Sequence, residues 1–335
     1  MRRSATLRRL MLLFLITAAA FGALCWHELG RPLPLPATPY DFDVRSGASL
    51  SVVARNLASA GVLPHAAWLT VYARLSGVDR AIKAGSYEVN QGITLRRLLA
   101  KLTQGDVTQS SITLVEGATF AQMKDLLRAN TGIRNTVLDL PDAELLARIG
   151  IAGDHAEGLF FPDTYFFARN ATDVSLLQRS ARILDARLNA GWAARAADLP
   201  LATAYDALIL ASIVEKETGR NADRPLIASV FVNRLRAGMP LQTDPSVIYG
   251  MHDAFDGNLR KRDLTTDTPY NTYTRNGLPP TPIALVSQAS LDAVMNPPST
   301  RYLYFVARGD GTSAFSATLN EHNQAVARFQ RGGRP

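Results

Sequence analysis

Two hydrophobic rhythms alternate along the first third of this chain. Three segments share one pattern: "FDVRSGASLSVVARNLASAG" from Phe42, "SYEVNQGITLRRLLAKLTQG" from Ser86 and "SITLVEGATFAQMKDLLRANTG" from Ser111. Each begins with a short stretch of period two, the mark of a strand. A Gly-x-Ser/Thr-Leu/Phe step follows, then apolar residues at helical spacing such as Leu95, Leu98, Leu99 and Leu102. Gly47, Gly92 and Gly117 permit the tight turn, and Ser49, Thr94 and Thr119 are placed to cap each helix. The pattern by itself predicts an α+β scaffold.

The remaining two thirds are more helical. "AEGLFFPDTYFF" (156–167) is dense in aromatics around a Pro162-Asp163 turn. Phe160, Phe161, Tyr165, Phe166 and Phe167 read as core, while Glu157 and Asp163 fit either a cleft or a capped turn. A helix is expected from about Val174 to Ala194. Another runs from Thr203, whose pairing with Asp206 resembles a capping box, to a stop at Gly219. A third lies between Asp223 and Gly238, with Ile227, Val230, Phe231 and Leu235 as its apolar stripe and Asn233-Arg234 among them. "MPLQTDPSVIYG" and "TPYNTYTRNGLPPTPI" are rich in Pro, Asn, Thr and Tyr. They suit ordered loops that bind sugars, and equally suit ordinary turns. A strand "RYLYFVA", a hairpin-like "GDGTSAFSA" and a helix from Asn320 to about Arg331 close the chain.

The candidate chemistry sits at the end of the 203–219 helix. "LILASIVEKETG" is apolar until it meets Glu215, Lys216 and Glu217. Leu208, Ser212 and Glu215 share a face with Ala211 beside them, so Glu215 is the charge expected to turn inward. Glu217 lies about 200° round the helix from it and is expected to point elsewhere. Burial and the negative end of the helix dipole both favour a protonated carboxyl, the state a general acid needs. The alternative for Glu215 is a structural glutamate bonded to a neighbouring element.

The N-terminus departs from both rhythms. "LMLLFLITAAAFGALCW" carries no charge from Leu10 to Trp26, roughly 25 Å as a helix, and Arg2, Arg3, Arg8 and Arg9 precede it. That order predicts one membrane span with the bulk of the chain outside the cytoplasmic membrane. A cleaved signal peptide is the rival, with Ala18-Ala19-Ala20 as a cleavage site. "GRPLPLPATP" then reads as a stiff linker. The net charge of +7 falls to +3 without the four arginines, which argues against nucleic acid as a partner. One cysteine and five scattered histidines give no metal-ligand spacing, so no metal and no cofactor are expected.

Taken together, "LASIVEKETG", "VFVNRLRAGMPLQTDPSVIYG", "YNTYTRNGLPPTPI", "YLYFVA" and "EGLFFPDTYFF" resemble the MltG (YceG-like) family of membrane-bound endolytic peptidoglycan transglycosylases. The repeated unit resembles the LysM module, a βααβ glycan-binding domain. The resemblance implies an α+β protein with a cytoplasmic tail (1–9), a transmembrane anchor (10–29), a linker (30–40), a LysM-like region (41–155) and a catalytic domain (156–335). It implies cleavage of the MurNAc–GlcNAc bond within glycan strands, leaving 1,6-anhydroMurNAc ends, at the outer side of the cytoplasmic membrane. The catalytic glutamate of the family matches Glu215. Its loops match Gln242, Thr243, Asp244, Tyr249, Asn271, Tyr273 and Pro279, which are cleft candidates. Peptidoglycan strands are the implied substrate, with synthases or division proteins as candidate further partners. The competing expectation is a membrane-anchored glycan-binding or scaffold protein without catalysis. A muramidase that adds water is a third.

Overall fold

A computed structural model describes residue 22 and residues 27–36, 38, 40–45, 47–105, 109–168 and 171–331. The expected span at 10–26 lies outside the described residues, Gly22 apart. Among the described residues no helix is long and apolar enough to cross a membrane. The chain divides into two compact units, residues 1–110 with 166–170, and residues 111–165 with 171–335. The segment 111–155, which its repeat groups with the two units before it, is thus counted in the second unit.

The first unit runs β1 (Tyr40–Val44), α1 (Leu50–Ser59), α2 (Ala66–Leu75), β2 (Gly85–Val89) and α3 (Leu95–Gln104). β1 and β2 pair antiparallel, with Tyr40 opposite Val89 and Val44 opposite Gly85. The resulting βααβ order closes over a core that includes Val53, Leu57, Leu69, Tyr87, Leu98 and Leu102. The 30–40 segment is more than a spacer. Leu33 donates its N–H to the Ile93 carbonyl at 2.8 Å, and Leu29, Leu33 and Leu35 pack on this core. Proline removes donors from the segment, yet the leucines between still gain by leaving water.

The second unit contains α4 (Phe120–Ala129), β4 (Ile133–Arg134), α5 (Asp142–Ile149), β6 (Ala171–Thr172) and α6 (Asp173–Ala193). β3 (Gln109–Thr113) pairs with β5 (Thr164–Ala168), and β4 pairs parallel with β6. There follow α7 (Ala204–Glu217), α8 (Arg224–Arg236), α9 (Asp244–Met251), α10 (Lys261–Thr265) and α11 (Gln288–Met295). An antiparallel hairpin, β7 (Tyr304–Ala307) and β8 (Ser313–Ser316), leads into α12 (Leu319–Val326).

The strand–turn–helix pattern is present in all three places. Gly47, Gly92 and Gly117 have φ of +79°, +87° and +72°, a region that penalises any side chain. Thr94 accepts from the Arg97 N–H, and Thr119 forms a reciprocal capping box with Gln122. Ser49 makes no cap; its hydroxyl pairs with that of Ser51 at 3.0 Å. Of the five aromatics at 160–167, four are buried and Phe166 is 56% exposed, because strand alternation turns it to the other face.

Candidate active site at the end of the central helix

α7 begins with the predicted capping box, Thr203 and Asp206 each bonding the other's backbone N–H. It packs against α6, α8 and α11, and every residue from Ala207 to Glu215 is buried. The inward face expected from Leu208, Ala211, Ser212 and Glu215 is therefore one side of a helix buried all round. Such a helix has no outer face along this length, so facing alone cannot rank its charges. Lys216 at its end donates to the Gly117 carbonyl at 3.0 Å.

Glu215 is fully engaged. Arg224, the first residue of α8, donates from Nη2 to Oε1 at 3.0 Å; the two side chains are 7% and 4% exposed. Oε2 accepts from the Ser287 N–H at 3.0 Å and from the Ser287 hydroxyl. Ser287 is also the N-cap of α11, accepting from the Ser290 N–H. Glu215 thus ties together the starts of two helices, where the backbone favours an acceptor. A buried pair of this kind holds elements in register, and removing one partner strands the other.

Glu217 is placed differently. Helical spacing directs it away from Glu215, yet it remains partly buried, and both glutamates line one open cleft. It accepts one short hydrogen bond from the Thr243 hydroxyl. Burial pushes its carboxyl up to about 7, opposed by the Thr243 bond, with Asp244 adding to the rise and Arg234 subtracting. A carboxyl in that range carries its proton through much of the neutral region, as a general acid must.

The loops around Glu217 explain its setting. Thr243 is buried, and its N–H donates to the Thr272 hydroxyl at 3.0 Å. Gln242 is exposed at φ +50°, an uncommon conformation outside glycine. The Gln242 N–H bonds the Thr272 carbonyl at 3.0 Å, and its side-chain oxygen accepts from Arg234 at 3.3 Å. Arg234 also reaches the carbonyls of Leu241 and Leu303, so the cation inside the apolar stripe of α8 clamps this loop. Asp244 accepts from the Tyr273 hydroxyl, and burial together with that bond raises the Tyr273 phenol. Gln242, Thr243, Asp244 and Tyr273 therefore gather around Glu217.

The other three cleft candidates lie elsewhere. Asn271 is 0% exposed, and its amide donates to the carbonyls of Asp263, Leu264 and Thr266. Its side chain closes a loop and offers nothing to a ligand. Pro279 is buried. Tyr249 packs edge-on against Tyr270 and donates to Glu157 at 3.2 Å. Glu157 also accepts from the Phe120 N–H at the start of α4, and burial lifts its carboxyl to about 7.

The open cleft has a volume of about 750 Å³. Its walls include Val115, Glu116, Asp163 and Gly117 besides the end of α7. Backbone bonds fix one rim, with Gly117 N–H to Leu285 O at 2.9 Å and Leu285 N–H to Ala118 O at 2.8 Å. Sequence reasoning passed over Arg224 and Ser287. Arg224 carries one faint signal, a cation opening a helix whose next eight residues are apolar or small; Ser287 carries none, because its role depends on a partner 72 residues away.

These features define a mixed α+β protein with a central buried helix that delivers a carboxyl to a cleft. The sequence pattern of the YceG-like family matches residues 42–328, and the protein belongs to that family. Among curated relatives, the endolytic murein transglycosylase of Bacillus subtilis (strain 168) is 32% identical over 311 residues, 87% of this chain and 85% of the relative. The endolytic murein transglycosylase of Streptococcus pneumoniae serotype 2 (strain D39) is 27% identical over 94% of this chain. This chain spans 64% of that relative's length. The crystal structure of a yceG-like protein from Listeria monocytogenes is similar with a TM-score of 0.55 and 28% identity, covering 86% of this chain and 98% of the other.

Proposed function

We propose that this protein is an endolytic murein transglycosylase, a lyase acting on peptidoglycan, with Glu217 rather than Glu215 as its acid and base. The observation that carries the assignment is the contrast between the two carboxyls. Both glutamates line the cleft, but both oxygens of Glu215 are taken by Arg224 and Ser287, while Glu217 accepts from the Thr243 hydroxyl alone among the described residues and is raised to about 7. Glu217 gives its proton to the glycosidic oxygen as the bond from MurNAc C1 breaks. The C6 hydroxyl of the same sugar then attacks C1 and returns its proton to Glu217. The 1,6-anhydro ring closes, no water is consumed, and the carboxyl ends as it began. Thr243 orients Glu217, and Gln242, Asp244 and Tyr273 offer polar contacts to the strand.

Two finer parts belong to the same reading. The arginine-flanked apolar run supports an anchor in the cytoplasmic membrane, with the cleft on its outer side. The βααβ order of the first unit supports a LysM-like glycan-binding role.

The test is digestion of purified sacculi with mass spectrometry of the products. Glu217→Gln is expected to fold normally and lose anhydro-ended product by about 10²-fold or more. Glu215→Gln is expected chiefly to destabilise, by roughly 3–5 kcal/mol, because Arg224 is left buried without its counter-charge. The wild-type rate should fall as pH rises through about 7, when Glu217 loses the proton it must donate. A folded, inactive Glu215→Gln beside an active Glu217→Gln would return the role to Glu215.

A further inference from the structure

The positive charge of the chain beyond its N-terminal arginines is concentrated in the first unit. Residues 31–105 carry nine basic and four acidic side chains, whereas residues 106–335 carry 23 basic and 24 acidic. Within that unit a pocket of about 460 Å³ collects Arg45, Arg74 and Arg80 with a single acid, Asp79. Among the described residues none of these four forms an ion pair or a side-chain hydrogen bond. Unpaired guanidinium groups around one concavity offer forked donors to an oxyanion, for which phosphate is well matched.

A second feature adjoins the first. On α2, Val71 is 50% exposed and Leu75 is 83% exposed, and Arg74 stands between them in sequence. A dissolved phosphate has no use for apolar side chains beside its site. A bilayer presents both chemistries together, phosphate at the headgroups and hydrocarbon just beneath. We propose that the first unit docks on an anionic lipid surface, with a headgroup phosphate held by Arg45, Arg74 and Arg80 and with Val71 and Leu75 seated beside it. This contact is separate from the predicted span and from the cleft of the second unit, and it would hold the first unit against the membrane.

The test uses the full chain in nanodiscs of phosphatidylcholine alone or enriched in phosphatidylglycerol, followed by hydrogen exchange. Segments 47–53 and 70–80 are expected to gain protection in the phosphatidylglycerol discs, and to lose it at high salt. Arg74→Gln with Arg80→Gln should weaken binding of a soluble short-chain phosphatidylglycerol by roughly thirtyfold, at about fivefold per cation near a surface. Leu75→Ser should weaken disc protection and leave the affinity for inorganic phosphate unchanged. Equal protection in both kinds of disc, or protection that survives the double arginine variant, overturns the proposal. If inorganic phosphate in neutral discs, or glycan fragments bearing anionic stem peptides, reproduce the protection in full, the ligand is one of those and the lipid assignment fails.

Discussion

At the residue scale, two carboxyls two positions apart differ because of what meets them. Both line the cleft, but Glu215 meets a guanidinium and a helix cap, and Glu217 meets one hydroxyl. Glu157 is a second raised carboxyl, also at about 7. Both carry folded-state values above the ordinary carboxyl value of about 4.5, so the folded chain holds more protons than the unfolded one between pH 4.5 and 7. Stability contributed by these two groups is full below about 4.5 and declines as pH rises towards 7. Chemical denaturation of the wild type and of Glu157→Gln across that range should show a shallower decline in the variant. Parallel pH profiles would mean that Glu157 titrates normally in the folded protein.

At the scale of elements, the 263–273 loop rests on one amide. Asn271 donates to three carbonyls, and its own oxygen accepts from the Tyr273 N–H at 2.9 Å. Asn271→Ala strands those part-buried carbonyls, and each such loss costs on the order of 1 kcal/mol. The melting temperature should therefore drop, with activity falling as folded protein is lost. Gln242→Ala changes an exposed side chain next to Thr243, which bonds Glu217. It should leave melting nearly unchanged and slow cleavage by about tenfold. Similar thermal losses in both variants would remove the distinction.

At the scale of the whole molecule, the chain holds one cysteine and five histidines. Among the described residues no group of three His, Cys, Asp or Glu side chains could hold a metal ion. The proposed reaction moves one proton out and back without a Lewis acid, so chelator treatment should leave the cleavage rate unchanged. A loss with EDTA that zinc restores would require a different mechanism. Digestion in ¹⁸O-labelled water should leave the new anhydro ends unlabelled, whereas a muramidase would place one label at each new reducing end.

The chain's local chemistry was readable without a structure. The strand–turn–helix repeats, the Thr203–Asp206 box and the helices near 174–194, 203–219 and 223–238 follow from periodicity and caps, interactions spanning only a few residues. The neighbourhood of the proposed acid was readable too, since Glu215 and Glu217 close the same apolar run and Gln242, Thr243, Asp244 and Tyr273 do gather there. Which glutamate is tied into a buried ion pair and which is left to a single hydroxyl was not, because α7 is buried on every side along most of its length and helical phase no longer separates inside from outside. That choice rests on Arg224 and Ser287, which reach Glu215 from 9 and 72 residues away. Asn271 likewise read as a sugar-binding amide until the fold wrapped a loop around it. Side-chain type and spacing are written locally, but burial and counter-charge come from residues distant in sequence, and these decide whether a carboxyl is locked in an ion pair or left to carry a proton.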